Sequence, residues 1–353
     1  MTRVNIKDIA EKAQVSTTAV SFAFNNPARL SKSTVKRILN IADEMGYTPN
    51  PLARNLSTGK TGAIGLLVPQ PIPEIIRNPF MPEFIEGIGE VTTHKGLSLM
   101  LVPPLKGSIE RAIVNAAVDG FLTLGLEESK STMVVLRQRG VPFVTVDSDP
   151  IVGVPAINVD DEGGAKAAMQ AVLEAGHREI AILSIRSGKK GHHQEYVGTL
   201  RNRMNGYEAA LGEFGLKLNG HKVRLLECVS TEKGGEDGFQ RLWNSRYRPT
   251  AVVAMSDIIA IGAMKAARQT GLQVPNELSF VGFDDIPLAE LFTPGLTTIA
   301  QPLRQKGSLA AELLVDTIAG HSALGGHHVL PTRLVVRQSL MASGNSTLSP
   351  RQP

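Results

Sequence analysis

The sequence predicts an α/β protein: an N-terminal three-helix head of helix-turn-helix type and a hinge helix, then two doubly wound parallel-sheet subdomains. Three observations predict this class. The first sixty residues contain helical patterns only. From residue 63 onward, short apolar runs alternate with amphipathic stretches, which is typical of parallel sheets covered by helices on both faces. The length of 353 residues suffices for two or three hydrophobic cores.

Basic charge is concentrated at the N-terminus. Residues 1–60 hold nine Lys and Arg against four Asp and Glu, whereas the remainder holds 28 basic and 29 acidic residues. The formal net charge of +4 therefore comes entirely from the head. A basic head on a near-neutral body favours a head that binds nucleic acid.

The head begins with two short helices separated by a tight turn. Residues 6–13 form an amphipathic pattern, which the turn at 14–16 ends. Ser16 is a natural N-cap for a second helix from Thr17 to about Phe24. Two short helices joined in this way form a helix-turn-helix, whose second helix can enter the major groove.

A third helix is predicted from about Ser33 to Met45, with Gly46 just beyond its end. Its apolar stripe can close a small core with apolar residues of the first two helices. The expected members of this mini-core are Ile9, Val15, Val20, Ala23, Phe24, Val35, Ile38, Leu39, Ala42 and Met45.

Several side chains of the second helix point away from the mini-core. Thr17 and Thr18 can hydrogen-bond a base edge or touch a thymine methyl, and Phe22 can make only apolar contact. The short polar side chains suited to phosphate oxygens are Ser16, Ser21, Asn25 and Ser31. Alternatively, the two capping serines are caps only and Asn25 is a turn residue. Capping and phosphate binding are compatible, because helix N-termini bind phosphates.

A proline-containing extended stretch over 47–51 leads into a helix of about one and a half turns over 52–57. Leu52 and Leu56 lie four residues apart on one face of that helix. A helix this short is not stable alone, so we expect it to form only with partners. Residues 58–62 are predicted to be a linker.

The head resembles that of the lactose-repressor family of bacterial transcription regulators. The matching residues are 6–10 (IKDIA), 15–21 (VSTTAVS), Asn25, 46–50 (GYTPN) and 53–56 (ARNL). The resemblance implies that Thr17, Thr18 and Phe22 contact bases, and that residues 51–57 form a hinge helix whose Leu56 wedges a minor-groove base step. The further DNA contacts that it implies are Tyr47, Asn50, Ala53 and Arg54. Phe22 departs from the polar or basic residue that the family often has there, so the operator sequence does not transfer.

The body is predicted to contain alternating strands and helices. The strands are expected at 63–68, 97–102, 120–124, 142–146, 179–185, 222–227, 251–255 and 279–283. The helices are expected near 81–95, 108–117, 130–139, 161–175, 200–214, 235–246, 257–270 and 303–319. Two successive sets of this kind predict two subdomains with a ligand cleft at the carboxyl ends of their strands.

The body also resembles the family, whose core is similar to periplasmic sugar-binding proteins. The matching segments include 78–80 (NPF), 176–180 (GHREI), 203–207 (RMNGY), 256–257 (SD), 282–285 (GFDD) and 296–299 (LTTI). The effector-binding residues that this implies are Phe80, Asp147, Arg203, Ser256 and Asp284.

The chemistry of these side chains suits a hydroxyl-rich ligand. Carboxylates accept from paired hydroxyls, and Arg donates in a fork. We expect Asp147, Arg203 and Asp284 just after strands or at a helix start. Alternatively, Asp284 caps the following turn. Asp257 is interpreted as structural, and the short side chain of Ser256 stands where the family often has Asn.

The segment 186–193 (RSGKKGHH) is unusually basic. It could face the mouth of the cleft and favour an anionic effector such as a phosphorylated sugar. A solvated loop is the interpretation that we favour.

Other functional classes find no support in the sequence. The single cysteine, Cys228, excludes an internal disulfide or a site of several cysteines. The phosphate-binding, nucleophile and metalloprotease motifs of common enzymes are missing, and adjacent histidines at 192–193 and 327–328 lack ligand geometry. We therefore predict no catalytic site, no metal and no cofactor. No apolar run approaches a membrane span, so a cytoplasmic location is expected.

The sequence as a whole predicts a ligand-controlled transcription regulator, a repressor, that binds a pseudopalindromic operator as a homodimer. The expected divisions are a DNA-binding domain (1–50), a hinge and linker (51–62), an effector-binding and dimerisation domain (63–342) and a disordered tail (343–353). The C-terminus shows no leucine heptad that would predict a tetramer. Two alternatives are a cytoplasmic sugar-binding or sugar-modifying protein and a sequence-tolerant architectural DNA binder.

Overall fold

The computed structural model describes residues 4–48, 55, 59–125, 130–186, 193–321 and 326–343. The chain divides into two compact units, Met1–Gly62 and Ala63–Pro353. The first unit is the head and the second is the body. Among the helices in the described ranges, none combines the length and the apolar character that crossing a membrane requires.

Over residues 4–48 the head contains three helices and one 3₁₀ turn. The helices are α1 (Ile6–Lys12), α2 (Thr17–Asn25) and α3 (Lys32–Glu44), and the 3₁₀ turn is Pro27–Arg29. Each helix has a side-chain N-cap, as expected for helices this short. The caps are Asn5, Ser16 and Ser31, and the hydroxyls of the two serines accept from the backbone N–H three residues ahead at 3.1 and 3.2 Å.

The mini-core of the head consists of small and branched apolar side chains. Its buried members are Ile9, Ala10, Ala13, Val20, Ala23, Ile38 and Ala42. The prediction that Leu39 belongs to it is wrong, because Leu39 is 39% exposed and Ile41 packs against the core instead. The buried stripe of α3 therefore runs through Ile38, Ile41, Ala42 and Met45.

The body begins with a six-stranded parallel sheet and its helices. In chain order these elements are β1 (Ala63–Leu67), α4 (Ile72–Ile76), α5 (Phe80–Lys95), β2 (Ser98–Val102), α6 (Ile109–Asn115), β3 (Gly120–Leu124), α7 (Lys130–Arg139), β4 (Phe143–Val146) and β5 (Ala156–Val159). The sheet is completed from the far end of the chain by β11 (His327–Leu330), which pairs with β5. Its strand order is β11-β5-β4-β3-β1-β2.

The second subdomain contains a four-stranded parallel sheet. In chain order its elements are α8 (Asp161–Glu174), β6 (Ile180–Ile185), α9 (Gly198–Glu213), β7 (Val223–Cys228), α10 (Glu232–Trp243), β8 (Ala251–Ala254), α11 (Asp257–Gln269), β9 (Ser279–Val281) and α12 (Pro287–Leu291). The strand order is β7-β6-β8-β9. Beside this sheet, β10 (Thr298–Ala300) pairs with β12 (Arg333–Val335) in antiparallel fashion.

The chain passes between the subdomains three times. The first passage joins β5 to α8, the second joins β10 to α13 (Leu303–Ile318), and the third joins β11 to β12. Helix α13 packs on α5 and on the six-stranded sheet. Gly87 of α5 and Gly307 of α13 permit this close crossing, because a Cβ at either residue would collide with a backbone carbonyl of the other helix.

All eight predicted strands are present, with boundaries that differ by one or two residues. Sequence reasoning missed β5, β10, β11 and β12, which have only three or four residues each. It also placed one helix three residues late, because Thr231 caps α10 before Glu232. Strands β4, β8 and β9 are equally short and were predicted. The four missed strands lie outside the regular alternation of strands and long helices on which the prediction relied.

Candidate functional site

The surface of α2 carries the candidate base contacts. Thr17 and Thr18 are exposed in its first turn, and Ser21 and Phe22 are half-buried one turn later. Phe22 lies outside the mini-core, and the guanidinium carbon of Arg29 stands 5.0 Å from the centre of its ring. The helix therefore presents two hydroxyls and one aromatic ring on the face opposite the core.

The candidate phosphate contacts of the head also have structural roles. Ser16 and Ser31 cap α2 and α3, and the Asn25 amide donates to the Ser21 hydroxyl at 3.3 Å. Tyr47 packs its ring against Phe24, with the ring centres 5.7 Å apart. The remaining candidates in the hinge, Asn50, Ala53, Arg54 and Leu56, lie outside the described residues.

The body contains a cleft of about 690 Å³ between its two parallel sheets. All five candidate effector residues line it: Phe80, Asp147, Arg203, Ser256 and Asp284. Asp147 follows β4, and Asp284 follows β9 after two further residues. The cleft therefore lies at the carboxyl ends of parallel strands, where open α/β sheets bind ligands.

Two of the aspartates occupy unusual backbone conformations. Asp147 has φ +53° and Asp284 has φ +136°, and Asp285 follows with φ +60°. Positive φ at residues other than glycine costs about 1–3 kcal/mol and clusters at functional sites. The backbone thus turns sharply at both strand ends and directs these carboxylates toward the cleft.

On the side of the six-stranded sheet, Asp147 is held by a buried lysine. The ammonium of Lys306 donates to both carboxylate oxygens of Asp147, at 2.8 and 2.9 Å, and to the side-chain oxygen of Gln301 at 2.7 Å. Lys306 is fully buried and the Asp147 side chain is 14% exposed. The ion pair therefore presents only its carboxylate to the cleft.

The opposite side is organised around Arg203. Its Nε donates to Asp161 at 2.8 Å, and one terminal nitrogen lies 3.9 Å from an oxygen of Asp284. That oxygen accepts from the side-chain nitrogen of Gln301 at 2.5 Å. Arg203 lies in the second turn of α9, not at a strand end or helix start as predicted. Its guanidinium stacks on Phe283 at 3.7 Å.

These contacts form one continuous chain of alternating charge across the floor of the cleft. It runs through Asp147, Lys306, Gln301, Asp284, Arg203 and Asp161. Gln301 belongs to the second passage between the subdomains, and Asp161 begins α8 directly after the first. The chain, which we call the floor relay, therefore joins the two walls at the point where the backbone passes between them.

Burial shifts the titration of the acids in this region. It raises the pKa of Asp284 and of Asp161, and the positive charge of Arg203 opposes the shift in both. Burial, reinforced by the charge of Asp284, raises the pKa of Asp257 to about 8. Asp257 is fully buried and accepts from Thr298 at 2.5 Å and from the Ile286 N–H at 3.0 Å. Its role is structural, whereas Asp284 faces the cleft.

The two remaining candidates add apolar and hydroxyl surface to the cleft. Phe80 begins α5 and stacks with Phe84 at 5.9 Å, and the Lys306 ammonium lies 5.3 Å from the centre of the Phe80 ring. Ser256 precedes α11, and its hydroxyl stands 3.5 Å from that of Ser230. An aromatic ring beside fixed polar groups is an arrangement suited to a sugar ring.

The charges that line the cleft are mainly negative. Its described lining residues include five acids, Glu74, Glu110, Asp147, Asp149 and Asp284, and two bases, Arg186 and Arg203. Arg186 is exposed, and residues 187–192 of the basic segment lie outside the described residues. The lining therefore disfavours the anionic ligand that the basic segment suggested.

Sequence reasoning missed three members of the floor relay: Lys306, Gln301 and Asp161. One of them had a detectable signal. Lys306 occupies the apolar stripe of α13, between the buried residues Leu303 and Ala310. A lysine on the buried side of an amphipathic helix needs a partner, because an isolated buried charge is costly. Gln301 gains its partners where the chain passes between the two subdomains, and Asp161 gains its partner when α8 packs on α9.

Two family models match the chain. Residues 5–50 match bacterial regulatory proteins of the lacI family, and residues 169–340 match the periplasmic binding protein-like domain. The ribose operon repressor of Haemophilus influenzae is 33% identical over 348 residues, which cover 95% of this chain and 98% of that protein.

Solved structures share the fold. A lacI family transcriptional regulator from Enterococcus faecium with bound ribose is 26% identical, with a TM-score of 0.68 over 80% of this chain and 99% of that one. The lac repressor dimer bound to operator and an anti-inducer is 23% identical, with a TM-score of 0.80 over 97% of this chain and 100% of that one. At this lower identity the second likeness concerns the fold alone.

Proposed function

Because the chain belongs to the lacI family of bacterial regulatory proteins, we propose that it is a transcriptional repressor controlled by a small, neutral, hydroxyl-rich ligand. The observation that carries this proposal is the cleft, which places Asp147 on one wall and Arg203 and Asp284 on the other. A ligand that contacts both walls favours one degree of cleft closure. It shifts the conformational equilibrium by its difference in affinity for the two states.

The head supplies the DNA contacts. It carries the whole basic excess of the chain, and α2 exposes Thr17 and Thr18 in its first turn. Phosphate contacts position such a helix, and base contacts give the sequence preference. A homodimer places two of these helices on the half-sites of a pseudopalindromic operator.

A pentose is the first ligand to test. The ribose operon repressor is the relative described above, and the regulator from Enterococcus faecium was solved with ribose. The excess of acids in the cleft lining favours a neutral ligand over a phosphorylated one. Carboxylates and a guanidinium on opposite walls can together hold the hydroxyls of one sugar ring.

The hinge supplies the link between ligand and DNA. We infer that residues 51–57 of each protomer become helical only when two copies pack together on the minor groove. Cleft closure would change the spacing of these two segments and so the affinity for operator. The protein acts in the cytoplasm, where both the chromosome and the sugar are found, and it regulates transcription without catalysing a reaction.

A mobility-shift assay on genomic fragments tests the proposal. We expect the full-length protein to retard a small set of fragments in the presence of excess bulk DNA, and D-ribose to change that retardation. If no fragment is retarded, the protein is a sugar-binding or sugar-modifying protein instead. If bulk DNA competes equally with every fragment, the protein is an architectural binder.

A further inference from the structure

Lys306 is a fully buried lysine on the apolar stripe of α13. Its neighbours on that stripe are Leu303, Gly307, Ala310, Ala311 and Leu314. An uncompensated ammonium at such a position would be strongly unfavourable. The presence of a lysine at residue 306 is therefore explained by the interactions of its ammonium group and not by the packing of its methylene groups.

Acceptors occupy the whole hydrogen-bonding capacity of the Lys306 ammonium. The two oxygens of Asp147 and the side-chain oxygen of Gln301 lie between 2.7 and 2.9 Å from Nζ. An ammonium has three protons, so none remains for a ligand. Lys306 thus acts on the cleft only through the residues that it holds.

The two members of this ion pair differ in their access to the cleft. Asp147 lines the cleft and its side chain is 14% exposed, whereas the Lys306 side chain is 0% exposed. Phe80 also lines the cleft and lies beside the ammonium, 5.3 Å from Nζ to the ring centre. A ligand in the cleft can therefore contact the Asp147 carboxylate but not the Lys306 ammonium that neutralises it.

Because acids outnumber bases around the cleft, the positive charge of Lys306 affects which ligand charge the cleft accepts. Five acids and two bases stand among the described lining residues. One acid, Asp149, is paired at 2.5 Å with Arg201. Without Lys306 the wall at Asp147 would gain an uncompensated negative charge in a region of low dielectric constant, and such a charge attracts a cation strongly.

We propose that Lys306 is a specificity-determining residue that makes the Asp147 wall accept a neutral hydroxyl ligand and reject one that carries an ammonium group. It is a positioning residue, since it orients and neutralises Asp147 without contacting the ligand. The inference rests on the proposed function, because it assumes that the cleft is the ligand site. It concerns the charge of the ligand and not the identity of the operator.

Titration calorimetry with full-length protein tests the proposal, with D-ribose and 2-amino-2-deoxy-D-ribose as probes. The two sugars differ by one ammonium group in place of a hydroxyl. We expect the natural protein to prefer ribose. In K306M the ratio of the two affinities should move toward the amino sugar by on the order of tenfold, which equals about 1.4 kcal/mol. The double variant K306M/D147N should again prefer the neutral sugar.

K265M is the matched control. Lys265 pairs with Glu232 and Glu236 on the surface of the body, so its removal changes the net charge equally and leaves the cleft unchanged. Its ratio of affinities should equal that of the natural protein. An unchanged ratio in K306M, or the same change in K265M, would overturn the proposal.

A double-mutant cycle, measured by thermal unfolding, tests the role of Lys306 independently of which sugar binds. If the natural protein binds neither probe, the pentose assignment fails, and the melting temperatures of K306M, D147N and K306M/D147N decide about Lys306. A double variant clearly more stable than the sum of the single effects supports the neutralising role. Additive effects overturn it.

Discussion

The head and the cleft hold their functional side chains in opposite ways. In the head, Thr17 and Thr18 stand exposed on a helix whose other face is anchored by a small apolar core. In the cleft, Arg203 and Lys306 are buried, and ion pairs and hydrogen bonds hold their charged groups, with an aromatic ring beside each. In the head, the side chains proposed to contact bases are therefore not those that stabilise the fold, whereas in the cleft the same buried side chains serve both recognition and stability.

The difference follows from what each region binds. DNA is a large polyanion that comes to an open surface, so exposed donors and basic side chains suffice. A small ligand must be enclosed, and enclosure removes the water that would otherwise solvate the polar groups. Those groups must then satisfy one another, as they do in the floor relay. Four substitutions test this contrast.

The largest effect is expected for Arg203→Ala. Its removal leaves the buried carboxylate of Asp161 without its partner at 2.8 Å. Breaking a buried ion pair from one side costs about 3–5 kcal/mol. The melting temperature should fall markedly, and operator binding measured below it should no longer respond to D-ribose. Arg201→Ala is the matched control, because Arg201 lies on the same helix as Arg203 and forms a more exposed pair with Asp149. Equal stability of the two variants would remove the contrast between cleft and surface.

The next largest effect is expected for Leu56→Ala. If Leu56 wedges a base step, its loss should weaken operator binding by tenfold or more, equal to about 1.4 kcal/mol or above. The affinity of the cleft for its sugar should not change. Leu39→Ala serves as the control, since Leu39 is an exposed leucine of the head. The hinge hypothesis is wrong if fluorescence anisotropy gives the same operator affinity for both variants.

A third test compares Phe22→Ala with Phe24→Ala. Phe22 lies outside the mini-core beneath Arg29, whereas Phe24 packs against the core and against Tyr47. Phe22→Ala should change base preference by about 1–3 kcal/mol at one operator position and leave the melting of the head nearly unchanged. Phe24→Ala should lower that melting temperature. A similar loss of stability in both would show that recognition and folding are not separable in the head.

The smallest effect, when counted per pH unit, is a difference in pH dependence. Burial raises the pKa of Asp257 to about 8, above the value of about 3.9 in an unfolded chain. The folded state therefore keeps a proton that the unfolded state releases, so stability falls as the pH rises from about 4 to 8. Asp257→Asn removes this titration.

Denaturant unfolding at several pH values measures the effect. Between pH 4 and 8 the free energy of unfolding of the natural protein should fall relative to that of Asp257→Asn, by at most about 1.4 kcal/mol per pH unit. Below pH 4 the two curves should run parallel. Parallel curves over the whole range would mean that Asp257 is charged in the folded protein.

Sequence reasoning succeeded where the signal was local. The helix-turn-helix follows from the spacing of apolar residues and from the caps Ser16 and Ser31, which lie beside the helices that they begin. The long strands and helices of the body follow from their hydrophobic periods in the same way. The resemblance to the family singled out the candidate residues Asp147 and Asp284, and each stands close behind a strand, as expected. Leu39 shows the limit, since one stripe position can be exposed at the end of a small core.

The sequence by itself determined the class of the protein and its basic head, because period, capping and charge are properties of neighbouring residues, and the resemblance to the family added the candidate residues of the cleft. Only the tertiary structure decided which charges meet. Lys306 reaches Asp147 across 159 positions of the chain, and Arg203 reaches Asp161 across 42. Such pairs form when separate elements pack together, and burial then makes each charge depend on its partner.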